Sequence, residues 1–278
     1  MSLRPLELSI ADLSAGLQLS SEAGWNQTAA DWAVFIRHGT VFGLKDGDAL
    51  VATAAILPYS GFGFVSMVLV TPAWRKRGLA TRLVDQSITA LRARGLVPVL
   101  DATPAGAAVY KQLGFQTMFE LWRWERTAAS SEPAPAPADK PAARPAGLEQ
   151  LDAFARIDTE AFGSDRHFLF QEFLDRAETR VFLSDRGFVM TRKGHRAAQL
   201  GPLAARTEAA ARDLLAATVA TLHGPVFLDV AERCCELRRW LESNGFSRQR
   251  PYQRMALGQA NSFGHPAYQM VMAGPEFG

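Results

Sequence analysis

The chain reads as two copies of one pattern, and this duplication limits the folds open to it more than any other feature. A shift of 131 positions lays Leu79, Leu83, Val84, Ile88 and Leu91 on Ala210, Leu214, Leu215, Val219 and Leu222. That spacing traces the apolar stripe of an amphipathic helix. The same shift sets Arg75 on Arg206 and Gly114-Phe115 on Gly245-Phe246, and Leu100-Asp101 meets Leu228-Asp229 with a three-residue slip. Helix stripe, arginine, strand end and Gly-Phe recur in the same order, as an internal repeat requires. Between the copies, residues 128–147 hold five prolines and no large apolar side chain. Proline fixes φ and removes a donor, so this stretch is expected to be an exposed, semi-rigid linker. The expected domains are therefore residues 1–127 and 148–278, each of ordinary domain size.

Each half follows one order: helix, hairpin, long strand, helix, strand, helix, strand. In the first half, helical patterns cover residues 10–19 and 29–38. A hairpin over residues 41–57 turns at Lys45-Asp46-Gly47-Asp48, and residues 64–70 form a near-continuous apolar run. A helix over residues 77–94 stops at Gly95, a short strand covers 97–101, a helix over 105–113 stops at Gly114, and residues 115–124 return as a strand. In the second half, residues 181–191 form the matching hairpin around Ser184-Asp185-Arg186-Gly187, which has good turn chemistry. Strands mixed with helices on both faces give an α/β (α+β) sandwich in each half.

Composition removes several function classes. Apolar residues make up 48% of the chain, enough for a real core, and the net charge of +2 is too small for a dedicated nucleic-acid binder. No stretch approaches the ~18–20 apolar residues of a membrane span, and the start of the chain has no signal-like apolar region. The two cysteines are adjacent, Cys234 and Cys235, and read as core thiols of a reducing, cytoplasmic protein. None of the five histidines is spaced with another, or with a cysteine, as metal ligands are, so no metal is expected.

The most informative stretch runs Val68-Leu69-Val70-Thr71-Pro72-Ala73-Trp74-Arg75-Lys76-Arg77-Gly78-Leu79-Ala80. A buried strand ends at Thr71-Pro72, a basic glycine-containing turn follows, and an amphipathic helix begins at once. A helix start offers free N–H groups and the positive end of the helix dipole, and Gly78 lets a ligand approach the backbone. The turn therefore suits a pyrophosphate. It resembles motif A of the GCN5-related N-acetyltransferases (GNAT), Arg/Gln-x-x-Gly-x-Gly/Ala after a Val-x-Pro strand end. The resemblance covers roughly residues 6–126. It implies two tandem GNAT-like domains, each with a mixed, mostly antiparallel sheet flanked by helices, and acetyl-CoA as co-substrate. Val68, Leu69 and Val70 would lie along the pantetheine arm, with a backbone N–H near Val70 polarising the acyl carbonyl. Arg75, Lys76, Arg77, Gly78, Leu79 and Ala80 would hold the pyrophosphate.

Residues 100–115 resemble motif B of the same family. There a tyrosine four residues before Gly-Phe, here Tyr110, lies near the CoA sulfur and would protonate the departing thiolate. The alternative is that Tyr110 packs its ring beside Phe115. Small residues, Ala107 among them, would let the pantetheine arm pass. The usual base, a carboxylate on the strand before motif A, is missing from Phe64-Val65-Ser66-Met67-Val68. Asp31, Glu22 and Asp101 remain candidates, although Asp101 serves equally well as a helix cap.

On the acceptor side the same resemblance makes residues 23–32 a wall of the amine site, with Trp25, Asn26 and Asp31 as substrate-binding residues and Trp32 beside them. Against this, Thr28 and Asp31 fit a capping box with the tryptophans in the core. Gly24-Trp25-Asn26 with Asp31-Trp32 also resembles a subset of the family that carries a YitH-type second acetyltransferase domain. In the second half, Gly78 becomes Ala209, Arg77 becomes Glu208, Tyr110 becomes Leu241 and Pro72 becomes Leu203. That half reads as a degenerate copy whose polar residues Asp165, Arg166, His167, Asp229, Arg250 and Arg254 are further candidates to face the cleft. The expected function is acyl transfer from acetyl-CoA to a primary amine of a small molecule or peptide by direct attack. No nucleic acid or membrane partner is expected, and the chain would be a monomer or homodimer. A non-catalytic CoA-binding module is the alternative.

Overall fold

A computed structural model describes residues 3–127 and 143–278. They form two compact units. The first comprises residues 3–100 together with residues 194–196 and Phe277; the second comprises residues 101–127, 143–193, 197–276 and Gly278. Most of the 128–147 linker lies outside the described residues.

In the first unit, strands β1 (Arg4–Glu7), β2 (Thr40–Asp46), β3 (Ala49–Pro58) and β4 (Phe62–Val70) pair antiparallel in that order, and β4 pairs parallel with β5 (Val97–Ala102). The β2–β3 hairpin turns at Gly47, whose φ of 58° favours glycine. Helix α3 (Leu79–Ala93) buries Leu79, Leu83, Val84, Ile88 and Leu91, the predicted stripe. Leu91 lies over Gly63 of β4, where a Cβ would come within 2.3 Å of it. Helices α1 (Leu13–Glu22) and α2 (Ala29–His38) cross at Gly16, whose missing side chain admits the fully buried Trp32 ring. The indole Nε1–H donates to Ser20 Oγ at 3.0 Å. Trp32 is thus a core residue, not part of an acceptor wall.

The second unit contains α4 (Pro104–Gln112), β6 (Phe115–Arg126), β7 (Arg144–Ala146), α5 (Leu151–Phe162), α6 (His167–Leu174) and the β8–β9 hairpin (Arg180–Ser184, Gly187–Arg192). It continues through β10 (Ala198–Ala205), α7 (Glu208–Val219), β11 (Val226–Ala231), α8 (Cys235–Ser243), β12 (Ser247–Leu257) and β13 (Gln269–Met272). Its strands run in the order β12-β6-β11-β13-β10-β9-β8-β7.

Two stretches lie at the expected boundaries. The end of the predicted linker, residues 144–146, is strand β7, paired among the described residues with β8, and Ala143 before it is buried. Pro145 is tolerated there because an edge strand leaves one side unpaired. Residues 101–126 belong to the second compact unit. The reason is β6, which pairs through residues 115–125 with β12 on one side and through residues 121–126 with β11 on the other. Cys234 is buried, and burial pushes its thiol up to about 12, but Cys235 is exposed and is not a core thiol.

Candidate functional site

Two local features open a cleft beside the first turn. The first is a bulge in β4. Leu69 pairs with Thr53 and Ser66 with Ala55, so Met67 and Val68 together oppose Ala54. Met67 takes φ 50°, a conformation that side chains rarely adopt. Its carbonyl is held by the buried Thr53 hydroxyl at 2.9 Å. Such a bulge bends the strand and redirects its backbone groups. The second is the short register between β4 and β5, in which residues 62–64 pair with residues 97–99. Past the bulge, β4 runs along an open cleft of about 500 Å³.

Val68, Leu69 and Val70 of β4 line one side of this cleft, with Trp25 and Ala23 from the α1–α2 connection. Arg75, Lys76, Gly78, Leu79, Ala80 and Thr81 line the other end. Trp25 is placed there by the end of α1. Trp25 N–H returns to Ser20 O and Gly24 N–H to Ser21 O, with Gly24 at φ 69°, a Schellman motif that swings the chain outward.

The turn itself is built for a ligand. Gly78 is the N-cap of α3 in the left-handed region, φ 75°, and no side chain caps this helix. The first N–H groups of α3 are therefore left for an external acceptor. A Cβ built on Gly78 would meet nothing within 4 Å, so the space in front of the turn is open. Lys76 also takes a left-handed conformation, φ 60°, and Arg75 donates through Nε to Val70 O at 3.1 Å, tying the turn to the strand end. Uncapped helix N–H groups, basic side chains and an apolar wall fit a ligand with an anionic diphosphate and an uncharged arm. Acyl-CoA is such a ligand.

Other predicted site residues are placed differently. Arg77 stacks on Trp74, its guanidinium carbon 4.6 Å from the ring centroid, and donates to Ala73 O. It is not among the cleft-lining residues, because the neighbouring indole captures it. Asn26 is buried and spends its side chain on structure: Oδ1 accepts from Arg196 N–H at 2.8 Å, and its carbonyl accepts from His195 N–H. Asp31 completes the capping box of α2, its carboxylate accepting from Thr28 N–H at 2.7 Å and Thr28 Oγ1 at 2.9 Å. Of the three expected acceptor residues, Trp25 lines the cleft, while Asn26 and Asp31 are engaged in these hydrogen bonds.

Tyr110 and Ala107 lie on α4 in the second unit. Ala107 is buried. The Tyr110 ring packs at 5.8 Å from that of Phe115, and burial raises its hydroxyl above the usual tyrosine range. That shift keeps the hydroxyl protonated, the form a proton donor needs. Asp101, a candidate base, accepts a two-pronged bond from Arg254 at 2.8 and 2.7 Å; burial pushes its carboxyl up against the pull of that arginine. Glu22, the third candidate, accepts from Gln18 at 3.1 Å on the surface.

The polar residues singled out in the second half are likewise engaged. Arg123 donates twice to Asp229, which also accepts from Gln199. Arg166 donates twice to Asp158, and Asp165 holds His167. Arg250 lies over the Tyr252 ring. Among the described residues no group of three or more His, Cys, Asp or Glu could hold a metal ion, and no helix is long and apolar enough to cross a membrane.

Residues 11–115 match the model of the acetyltransferase (GNAT) family, and residues 154–266 match that of an acetyltransferase (GNAT) domain. Among solved structures, a candidate acetyltransferase from Pyrococcus horikoshii superposes with a TM-score of 0.85 at 16% identity, covering 99% of this chain and 96% of that one. A tandem GNAT protein from the clavulanic acid biosynthesis pathway gives 0.67 at 15% identity, covering 92% and 98%. A GCN5-related N-acetyltransferase from Sphaerobacter thermophilus gives 0.64 at 15%, covering 94% and 98%. No curated protein matches.

Proposed function

Because this chain belongs to the GNAT N-acetyltransferases and carries two of their domains, we propose that its first cleft binds acetyl-CoA and passes the acetyl group to a primary amine. The uncapped start of α3 behind Gly78 carries the reading. Its N–H groups, with Arg75 and Lys76, bind the diphosphate, and the pantetheine arm runs along Val68, Leu69 and Val70. A backbone N–H near Val70 polarises the thioester carbonyl, and charge developing on that oxygen is where a fixed donor helps most. The amine attacks directly, giving a tetrahedral intermediate that collapses with loss of the CoA thiolate. Tyr110, at the family's matching position, is the proposed acid for that thiolate.

The amine must arrive without its extra proton. The candidate carboxylates Asp31 and Asp101 are both hydrogen-bonded, so water is the proposed proton acceptor. Trp25 supplies an apolar surface, which suits an amine with an apolar body, small molecule or peptide.

The test is thiol release from acetyl-CoA across a panel of primary amines. Amine-dependent release that disappears in Gly78→Glu supports the reading. Tight CoA binding with no release for any amine would favour a CoA-binding module instead.

A further inference from the structure

The two halves share a bulged strand and a short parallel register, but only one leaves its cleft open. In the second unit, β10 repeats the design of β4. Leu200 pairs with Thr191 and Leu203 with Val189, so Gly201 and Pro202 together oppose Met190, and Gly201 takes φ 138°. Residues 198–200 pair parallel with residues 226–228, and there the direct register of β10 with β11 ends. The divergence that forms a cleft in the first unit is filled in the second by β13. Leu203 pairs with Val271 and Ala204 with Gln269 on one side; Asp229 pairs with Met272 and Val230 with Val271 on the other. Ala205 N–H also reaches Tyr268 O at 3.0 Å.

We propose that the second cleft is a strand-acceptor site filled in cis by residues 268–273, and that this occupant closes it to acyl-CoA. The inference rests on the reading of the first cleft as an acyl-CoA site, since the two share one strand design. An extended peptide and a pantetheine arm make similar demands on a splayed strand pair: backbone amides to satisfy and apolar walls to touch. A strand meets both demands on both edges, as in recognition by strand addition. Met270, Val271 and Met272 are essentially fully buried. The fit at the bulge is close, since a Cβ on Gly201 would lie 2.0 Å from Met272 O. Arginines at both ends hold the occupant. Arg233 donates to Gln269 O at 2.6 Å, and Arg192 donates to Ala273 O and, at 2.7 Å, to Glu276.

The matching turn has also given up its anion site. Thr207 caps α7 through its side chain, accepting from Ala210 N–H at 3.2 Å. Glu208 turns its carboxylate to the first N–H groups of α8, Glu236 and Leu237, at 2.7 and 2.9 Å. An internal strand has replaced the arm, and side chains have replaced the phosphates.

Hydrogen exchange on the full chain, read with and without CoA, tests this together with binding stoichiometry from native mass spectrometry. The expected result is one CoA per chain. Amides of Val271, Met272, Leu203 and Val230 should be protected on the order of 10⁴-fold or more, as in a cooperative core, and unchanged by CoA. Full-length Gly78→Glu should bind no CoA. A second equivalent on the native chain, CoA retained by Gly78→Glu, or rapid exchange of the β13 amides would each overturn the proposal. If the native chain binds no CoA while β13 stays protected, the reading of the first cleft fails and the filled second cleft stands.

Discussion

The turns at residues 75–80 and 206–211 hold matching positions in the two halves and are finished in opposite ways. In the first, the N-cap is a glycine with positive φ, no side chain caps the helix, and a would-be Cβ points into open space. In the second, a threonine caps the helix and the following glutamate caps the next one. An uncapped helix start leaves unsatisfied N–H groups, which costs stability unless water or a ligand satisfies them. A capped start recovers that stability and gives up the site. The difference between the halves is therefore a difference in where helix N–H groups find acceptors, outside the chain in one case and inside it in the other.

This contrast can be broken most severely at the glycine. Gly78→Glu should weaken CoA binding at least roughly 100-fold, since it sets a carboxylate before the helix start where the diphosphate would lie. Ala209→Glu, at the equivalent place, should leave the affinity within about twofold; calorimetry reads both. Next in size is the acid. Tyr110→Phe should lower kcat about 100-fold with little change in KM, whereas the buried counterpart Leu241 has no proton to give. Burial raises the Tyr110 hydroxyl, so the acid form persists through neutral pH, and activity should fall only at a pH above the usual tyrosine range. In Tyr110→Phe that alkaline fall should vanish; its survival would assign the limb to another group.

Smaller effects sharpen the other side of the comparison. Thr207→Ala removes the cap of α7 and should cost about 1 kcal/mol in denaturant unfolding while CoA affinity stays the same. Glu208→Gln keeps an acceptor oxygen for the α8 amides but loses the charge at the helix end. A cost of about 0.5 kcal/mol is expected, again with no change in CoA binding.

Much of this was legible in the sequence because it is local. The α3 stripe, the β2–β3 and β8–β9 hairpins and the Gly78 turn follow from side-chain period and turn chemistry over a few residues. The features that escaped are those whose partners are remote. Asn26 was read as an acceptor ligand, but the amide it serves belongs to Arg196, 170 positions away. Asp31 is the local exception: its capping-box spacing is visible in the sequence, and it caps α2. Arg77 looked equivalent to Arg75 and Lys76 until its stacking on Trp74 separated them. Strand β6 follows the first-half pattern, yet its ladder partners β11 and β12 lie beyond the linker. Strand β13 spans only four residues, too few for a periodic signal, and its burial was expected while its position between β10 and β11 was not.

The central claim is that only the first turn holds an anionic ligand, and a CoA titration followed through backbone amide chemical shifts tests it most directly. The account predicts the largest, saturable shifts at Gly78, Leu79, Ala80 and Thr81, accompanied by Val68 and Val70, with Thr207, Ala209, Ala210 and Ala211 unmoved. Shifts centred on Thr207 to Ala211 with a silent Gly78 would contradict it.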